Sequence, residues 1–201
     1  MKKSFLLITI TILLFITGSN SAQSIIHPNK VGFGYAYGYS DVNGMNLYGN
    51  SFYISSGQLD FVLNFYDLET GNKDIPYTSA VISYTSIKPK RKIYPSFHLG
   101  YSGGNYAVLS FGISVAGEIF HDTDFKILPE GGVEFAYAKG GGGNSNETET
   151  FNLAGNAAFY ADINFAFGGE NVPFYITLSP GIEVESKATS YSIAVAASIV
   201  P

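Results

Sequence analysis

Residues 31–40 read Val-Gly-Phe-Gly-Tyr-Ala-Tyr-Gly-Tyr-Ser, and this stretch decides the fold class. Large apolar or aromatic residues occupy every odd position, whereas the even positions hold only Gly, Ala and Ser. Successive side chains of a β-strand point to opposite faces, so the alternation predicts a strand with one bulky face and one nearly bare face. A bare outer face would solvate a water-soluble protein poorly, which favours placing the bulky face outward.

The period of two recurs along the chain and predicts ten strands. Tracts rich in Gly, Asn and Asp separate the alternating segments, as expected for turns. An even strand number is typical of single-chain bacterial β-barrels. A count of eight, in which residues 41–57 form one loop, stays open as an alternative. The ten segments span residues 31–40, 47–55, 59–66, 77–87, 93–102, 109–119, 125–137, 151–167, 174–185 and 191–199.

The first 22 residues have the pattern of a cleaved signal peptide. Lys2 and Lys3 form a positive start, residues 5–16 are apolar, and small residues follow at positions 18–22. The apolar run is shorter than the ~20 residues of a spanning helix, which disfavours a retained anchor. We therefore expect residues 1–22 to be removed and residues 23–201 to form a single domain, without any cysteine to cross-link it.

Composition limits where such a domain can reside. Charged residues make up 13% of the chain, about half the usual share of a soluble protein. No apolar stretch after the signal peptide is long enough for a spanning helix, and lipid admits only helices and closed barrels. The sequence thus predicts an all-β fold, a closed antiparallel up-and-down transmembrane β-barrel. Loss of Lys2 and Lys3 changes the net charge from −5 to −7, which argues against nucleic acid as a partner.

Strand parity predicts which connections lie outside the cell. With both termini in the periplasm, the outward connections are residues 41–46, 68–76, 103–105, 140–150 and 186–189. The glycine-rich tract 140–150 is expected to be an exposed, mobile loop. Pro95, Pro129 and Pro180 fall inside predicted strands, where each lacks a ladder donor, so these strands are expected to start later or to carry bulges. The basic run at residues 88–92 is interpreted first as a solvated turn and second as a site for anionic headgroups.

Four parts of the chain together resemble the small outer-membrane β-barrel proteins of the porin-like, OmpA/OmpX-type superfamily. They are the signal peptide, the alternating stretch 31–40, the stretch 129–137 (Pro-Glu-Gly-Gly-Val-Glu-Phe-Ala-Tyr) and the closing strand 191–200. The resemblance implies a location in the outer membrane, with outer-membrane lipid and the barrel-assembly machinery as partners. Such chains often end in an aromatic residue, whereas this one ends Ile199-Val200-Pro201.

The sequence contains no convincing catalytic constellation. Outer-membrane hydrolases, proteases and acyltransferases need a histidine near the outer rim beside a nucleophile or an acid. His27 precedes the first strand, His98 lies in mid-strand on the small-residue face, and His121 falls in a predicted periplasmic turn. Phosphate-binding loops and metal-ligand spacings are also missing from the sequence. We therefore predict a protein that is not an enzyme and has no catalytic residues, cofactor or metal.

The strand face opposite the bulky residues carries a polar, acid-rich set that we predict to face the lumen. Its members are Asp60, Asn64, His98, Glu118, Lys126, Glu130, Glu134, Asp162 and Glu183. Buried carboxylates need partners or water. About ten strands leave room mainly for side chains, so we expect a polar plug, with a thin cation-preferring pore as the other interpretation.

Two functional hypotheses follow from different protein classes. The first is a non-enzymatic outer-membrane barrel with a structural, surface-interaction or minor pore role. The alternative is a secreted soluble β-barrel or sandwich that binds an apolar ligand, in which case the bulky alternating face would line the inside. The oligomeric state does not follow from the sequence.

Overall fold

A computed structural model describes residues 30–199, apart from residues 43–44, 71–72, 89, 104–106, 123, 140–151, 169–173 and 185–188. The predicted signal peptide and the predicted mobile loop 140–150 lie outside the described residues. The strands are β1 (Val31–Val42), β2 (Met45–Ser56), β3 (Leu59–Thr70), β4 (Lys73–Thr85), β5 (Ile93–Gly103), β6 (Ala107–Gly117), β7 (Phe120–Asp122), β8 (Phe125–Lys139), β9 (Asn152–Phe167), β10 (Phe174–Val184) and β11 (Thr189–Ile199).

The strands form a closed antiparallel barrel with up-and-down order. Apart from β6 and β7, strands that follow one another in sequence pair with each other, and β1 pairs with β11 from Phe33 opposite Ile199 to Val42 opposite Ser190. The short β7 continues β6 after an interruption at residues 118–119, and both pair with β8. The described strands therefore occupy ten positions in the barrel wall, and the predicted fold is confirmed.

The two ends of the barrel differ in their connections. We call the end where β1 begins and β11 ends the terminal end, and the opposite end the loop end. Connections at the loop end are residues 43–44, 71–72, 104–106, 140–151 and 185–188, so each predicted outward connection maps to this end. Two of the predicted connections are wrong in extent, because the ladders continue to Val42 opposite Met45 and to Thr70 opposite Lys73. Polar residues such as Asn46 and Glu69 lie near these strand ends, so the sequence pattern there resembles that of a loop.

The three prolines are accommodated in different ways, and β5 does not start later than predicted. Pro95 lies one residue beyond the last β4–β5 pair, where its carbonyl oxygen accepts a hydrogen bond from the Ser86 N–H at 2.9 Å. Pro180 pairs across to β11, but the ladder from β10 to β9 is interrupted between Leu178 and Gly181. Pro129 stays in register with β9, and the β8–β9 irregularity lies instead between Phe135 and Tyr137.

Two apolar clusters fill parts of the interior. One lies at the terminal end and is formed by buried residues of five strands, with Ile87 of the β4–β5 connection packed against it; we call it the terminal cluster. Its members are Tyr94, Ala116, Leu128, Ala166 and Tyr175. The other cluster is formed by residues of β2, β3, β4 and β11, with Ala36 of β1 packed against it. Its members are Tyr53, Val62, Val81 and Ala196. The described part of the chain contains no helix long and apolar enough to span a membrane.

Candidate functional site

The outer surface of the wall carries an unbroken apolar row. Each residue of the row lies directly opposite the next one on the neighbouring strand. The row begins on β10, continues through β11 and then β1 to β6, and reaches β9 by way of β8, so that it includes one residue from each of the ten wall positions. These residues are Phe174, Ile199, Phe33, Ile54, Phe61, Ile82, Leu99, Phe111, Phe135 and Ala157. An apolar outer surface that extends over every strand of the wall suits hydrocarbon rather than water.

Eleven bulky residues of the alternating segments, which the sequence pattern predicts to face outward, all lie on this surface. Seven of them are exposed: Phe33, Tyr35, Phe61, Phe97, Phe159, Ile176 and Val195. The other four are half-buried among their neighbours: Leu63, Phe111, Phe135 and Phe165. Neighbouring aromatic rings contact one another along the surface, for example Phe111 and Phe135 with ring centroids 5.2 Å apart.

The structure buries eight of the nine predicted site residues inside the barrel: Asp60, Asn64, His98, Lys126, Glu130, Glu134, Asp162 and Glu183. Glu118 is the exception. It lies in the interruption between β6 and β7 at the terminal end, where its Oε1 is 3.3 Å from Nδ1 of His121. Glu118 is thus separated from the interior set because β6 ends at Gly117, two residues before the end of the predicted segment 109–119.

Hydrogen bonds connect the interior polar residues across neighbouring strands. The Ser55 hydroxyl donates to Asp60, and the Asn64 amide donates to the Ser79 hydroxyl at 3.0 Å. On the other side of the barrel, the Tyr160 hydroxyl donates to Glu130 at 3.4 Å. These contacts spread the polar groups over the wall instead of gathering them around one void.

His98 occupies the middle of the polar interior. Its Nε2 lies 3.9 Å from Oε2 of Glu134, and its ring centroid lies 6.2 Å from that of Tyr160. Both groups sit in a fully enclosed position, because His98 and Glu134 are almost completely buried. Within the described residues, no group of three or more His, Cys, Asp or Glu side chains could hold a metal ion.

Several interior side chains lie flat over a glycine on the neighbouring strand. Tyr53, Tyr66 and Tyr160 are directly opposite Gly34, Gly49 and Gly132. In the same way His98 is opposite Gly112, and Asp162 is opposite Gly181. A Cβ atom added to any of these glycines would overlap the opposing side chain. The small residues on the inner face therefore make room for large neighbours, a packing device known from designed sheets.

These tyrosines and a further interior pair, Asn164 and Ser179, were not among the predicted site residues. The Ser179 hydroxyl donates to Asn164 at 2.6 Å, and the Asn164 amide donates to the Leu128 carbonyl at 3.3 Å. The sequence indicates an interior position for Tyr53 and Tyr66, because both lie on the small-residue face of their strands. Only the strand register shows which glycine each tyrosine covers.

Comparison with known proteins addresses the fold. No family model and no curated protein sequence matches the chain. Among solved structures, the translocator domain of the autotransporter NalP from Neisseria meningitidis superimposes with a TM-score of 0.51 at 9% identity, covering 89% of this chain and 91% of that one. The fold is that of an outer-membrane β-barrel.

Two further outer-membrane barrels show lower structural similarity. The β domain of the Bordetella autotransporter BrkA has a TM-score of 0.48 at 9% identity, covering 85% of this chain and 98% of that chain. Ail, the attachment invasion locus protein of Yersinia pestis, has a TM-score of 0.33 at 15% identity, covering 86% of this chain and 97% of that chain. At identities this low, the similarity concerns the fold alone.

The arrangement of the faces bears on the soluble alternative. A lipocalin-like or sandwich protein would turn its bulky alternating face inward around an apolar ligand. Here the bulky face is outside, and the inside holds carboxylates, hydroxyls and amides. The described interior next to Ser79, Val81, Gly100, Ser102 and Ser110 has a void of about 10 Å³, enough for roughly one water molecule.

Proposed function

We propose that the mature chain is a non-enzymatic outer-membrane protein, exported through its signal peptide and inserted by the barrel-assembly machinery. Its role is structural or one of surface interaction, with at most minor pore activity. The observation that carries the proposal is the apolar row that continues around all ten wall positions, because only a lipid surround satisfies such a surface. Outer-membrane lipid is accordingly its first partner.

The filled interior supports a plug rather than an open channel. Interior side chains lie over glycines at five opposed pairs, and the terminal cluster packs inside one end of the barrel with Leu128 fully buried. Acidic residues outnumber bases in the interior, where Lys126 is the one buried cation among the described residues. Any residual water path would therefore favour cations over anions.

Conductance tests this proposal directly. In planar bilayers the purified barrel is expected to give no conductance or small, cation-preferring events, because side chains occupy the lumen and carboxylates predominate there. Replacing Leu128 and Tyr94 by Ala removes two members of the terminal cluster and is expected to increase event frequency. Large, anion-selective conductance of the unmodified protein would contradict both the plug and the charge argument.

Among the residues that the structure describes, no histidine is placed for catalysis at the surface. His98 is enclosed in mid-barrel beside Glu134, and His121 faces Glu118 at the terminal end. Neither position offers the combination of an accessible nucleophile and base at the loop end that surface hydrolysis or acyl transfer requires. The absence of turnover is part of the proposal.

The longest connection between strands favours one orientation of the barrel in the membrane. The longest interval between consecutive strands separates Lys139 from Asn152 at the loop end. Because outward loops are the long ones in outer-membrane barrels, this connection favours an orientation with the termini in the periplasm. An epitope tag inserted at residue 145 should therefore bind antibody on intact cells, whereas a tag at residue 57 should need permeabilised cells. The opposite pattern of labelling would reverse the orientation.

A further inference from the structure

The connection between β4 and β5, residues 86–92, concentrates positive charge at the terminal end. Lys88, Lys90, Arg91 and Lys92 all lie within it and are exposed. These four are more than a third of the eleven basic residues of the whole chain. We call residues 88–92 the basic turn.

Backbone hydrogen bonds fix the position of the basic turn relative to the wall. On one side, the Ile87 N–H donates to the Gln58 side-chain oxygen at 3.2 Å. On the other side, the Glu118 N–H donates to the Lys92 carbonyl at 2.8 Å. Within the turn, the Arg91 N–H donates to the Lys88 carbonyl at 3.2 Å. The four cations are thus presented from an anchored segment whose inner end, Ile87, packs against the terminal cluster.

An apolar shelf adjoins the basic turn on the outer surface. Ile93 is 63% exposed and Ile119 is 69% exposed, and Pro95 is exposed beside them. The backbone contact between Glu118 and Lys92 brings the segments that carry Ile93 and Ile119 together. Arg91, Lys92, Ile93 and Pro95 together line a shallow concave surface. Positive charge and bare hydrocarbon therefore meet at one place.

Nearby acidic residues do not cancel this charge by direct pairing. Oε1 of Glu118 lies 3.3 Å from His121 rather than beside a lysine. Asp122 is the last residue of β7 and Asp124 follows it before β8, and both are exposed. In the described part of the chain, none of the four cations of the basic turn forms an ion pair with them. These acids weaken the positive potential by screening but leave the cations available to a ligand.

We propose that the basic turn and its shelf bind an anionic glycerophospholipid of the periplasmic leaflet. The phosphate group would contact the four cations, and the first part of an acyl chain would lie along Ile93, Pro95 and Ile119. The inference rests on the proposed function, because it needs the terminal end to face the periplasm. Clusters of four or more basic residues at a membrane boundary recognise anionic headgroups in this way.

Two triple variants with the same change in net charge test the site. Lys88→Gln, Arg91→Gln and Lys92→Gln remove charge from the basic turn, whereas Lys73→Gln, Lys139→Gln and Lys187→Gln remove it from the loop end. Each protein is refolded in zwitterionic micelles, checked by the heat-dependent gel shift of a folded barrel, and titrated with phosphatidylglycerol or phosphatidylcholine. Bound lipid is counted by native mass spectrometry. Inorganic phosphate and lipid A serve as competitors.

The parent and the loop-end variant are expected to prefer phosphatidylglycerol over phosphatidylcholine. In the basic-turn variant this preference should fall about tenfold or more, since each basic residue near an anionic surface contributes roughly fivefold. Equal loss in both variants, or no preference in the parent, would overturn the site. Competition by inorganic phosphate at the lipid's own concentration would show a free-phosphate site instead, and preference for lipid A would exclude the periplasmic leaflet. A parent that lacks the heat-dependent shift would refute the proposed function itself.

Discussion

Replacing Phe159 by Arg is expected to lower the free energy of unfolding of the barrel by about 2–4 kcal/mol, the cost of a cation near the bilayer midplane. Phe159 lies in the middle of β9, opposite Val133 and Val184, and is 63% exposed on the outer surface. A charge at this depth has no water within reach. The change is measured by urea unfolding of the protein reconstituted in lipid vesicles.

Ser56→Arg provides the matched control for this substitution. Ser56 is an exposed outer-face residue at the terminal-end boundary of β2, so the same added charge can reach the headgroup region. We expect a cost of about 0–1 kcal/mol there, as for cations near the interface. Equal stabilities of the Phe159→Arg and Ser56→Arg proteins would mean that the apolar outer surface does not face lipid.

The second large effect is expected at Gly34. Tyr53 lies flat over Gly34 from the adjacent strand, so the methyl group of Gly34→Ala would overlap the ring and force it out of place. Overpacking of this kind costs about 1–3 kcal/mol. Gly38→Ala is the control on the same strand and face, because its Cβ would meet Ala194 Cβ at an ordinary 3.6 Å. We expect the free energy of unfolding to fall clearly for Gly34→Ala and to change little for Gly38→Ala.

A double-mutant cycle separates the overlap from other effects at Gly34. Tyr53→Ala alone should destabilise the barrel, because Tyr53 belongs to a buried apolar cluster. Combined with Gly34→Ala, the overlap no longer exists, so the double variant should be more stable than the sum of the two single changes predicts. Additive losses would show that Tyr53 does not occupy the space above Gly34.

The fold could be predicted from the sequence because lipid enforces a strict period of two. Val31, Phe33 and Tyr35 alternate with Gly32, Gly34 and Ala36, and the same contrast marks each later strand. Low charge then selected the closed barrel over a soluble sandwich. The connections that parity predicts to point outward all map to one end of the barrel, since consecutive strands of an up-and-down barrel alternate in direction.

Strand ends could not be predicted equally well. Near the loop end the exposed residues of β3 include Asp67 and Glu69. Glu69 was therefore assigned to a connection, although it pairs with Asp74 of β4. The strand ends where the backbone hydrogen bonds of the hairpin end, and these bonds depend little on residue type. Likewise, the three-residue β7 lies where a turn beginning at His121 was expected, because His121 pairs opposite Lys126 of β8.

The candidate site was predictable in its residue types but not in its contacts. Alternation alone selects Asp60, Glu134 and Glu183 as members of the small-residue face. Which residues meet depends on register, and a shift of one residue would exchange the two faces completely. Two contacts depend on register in this way. His98 of β5 approaches Glu134 of β8 across β6, and Tyr160 covers Gly132.

The central claim is that the mature chain folds as a barrel in the outer membrane. Its most direct test is separation of cell membranes by density, followed by gel electrophoresis of the outer-membrane fraction with and without heating. We expect the protein in that fraction, with an unheated form that migrates differently from the boiled form because the closed barrel resists detergent. A protein found in the periplasmic fraction, with no change in migration on heating, would contradict the account.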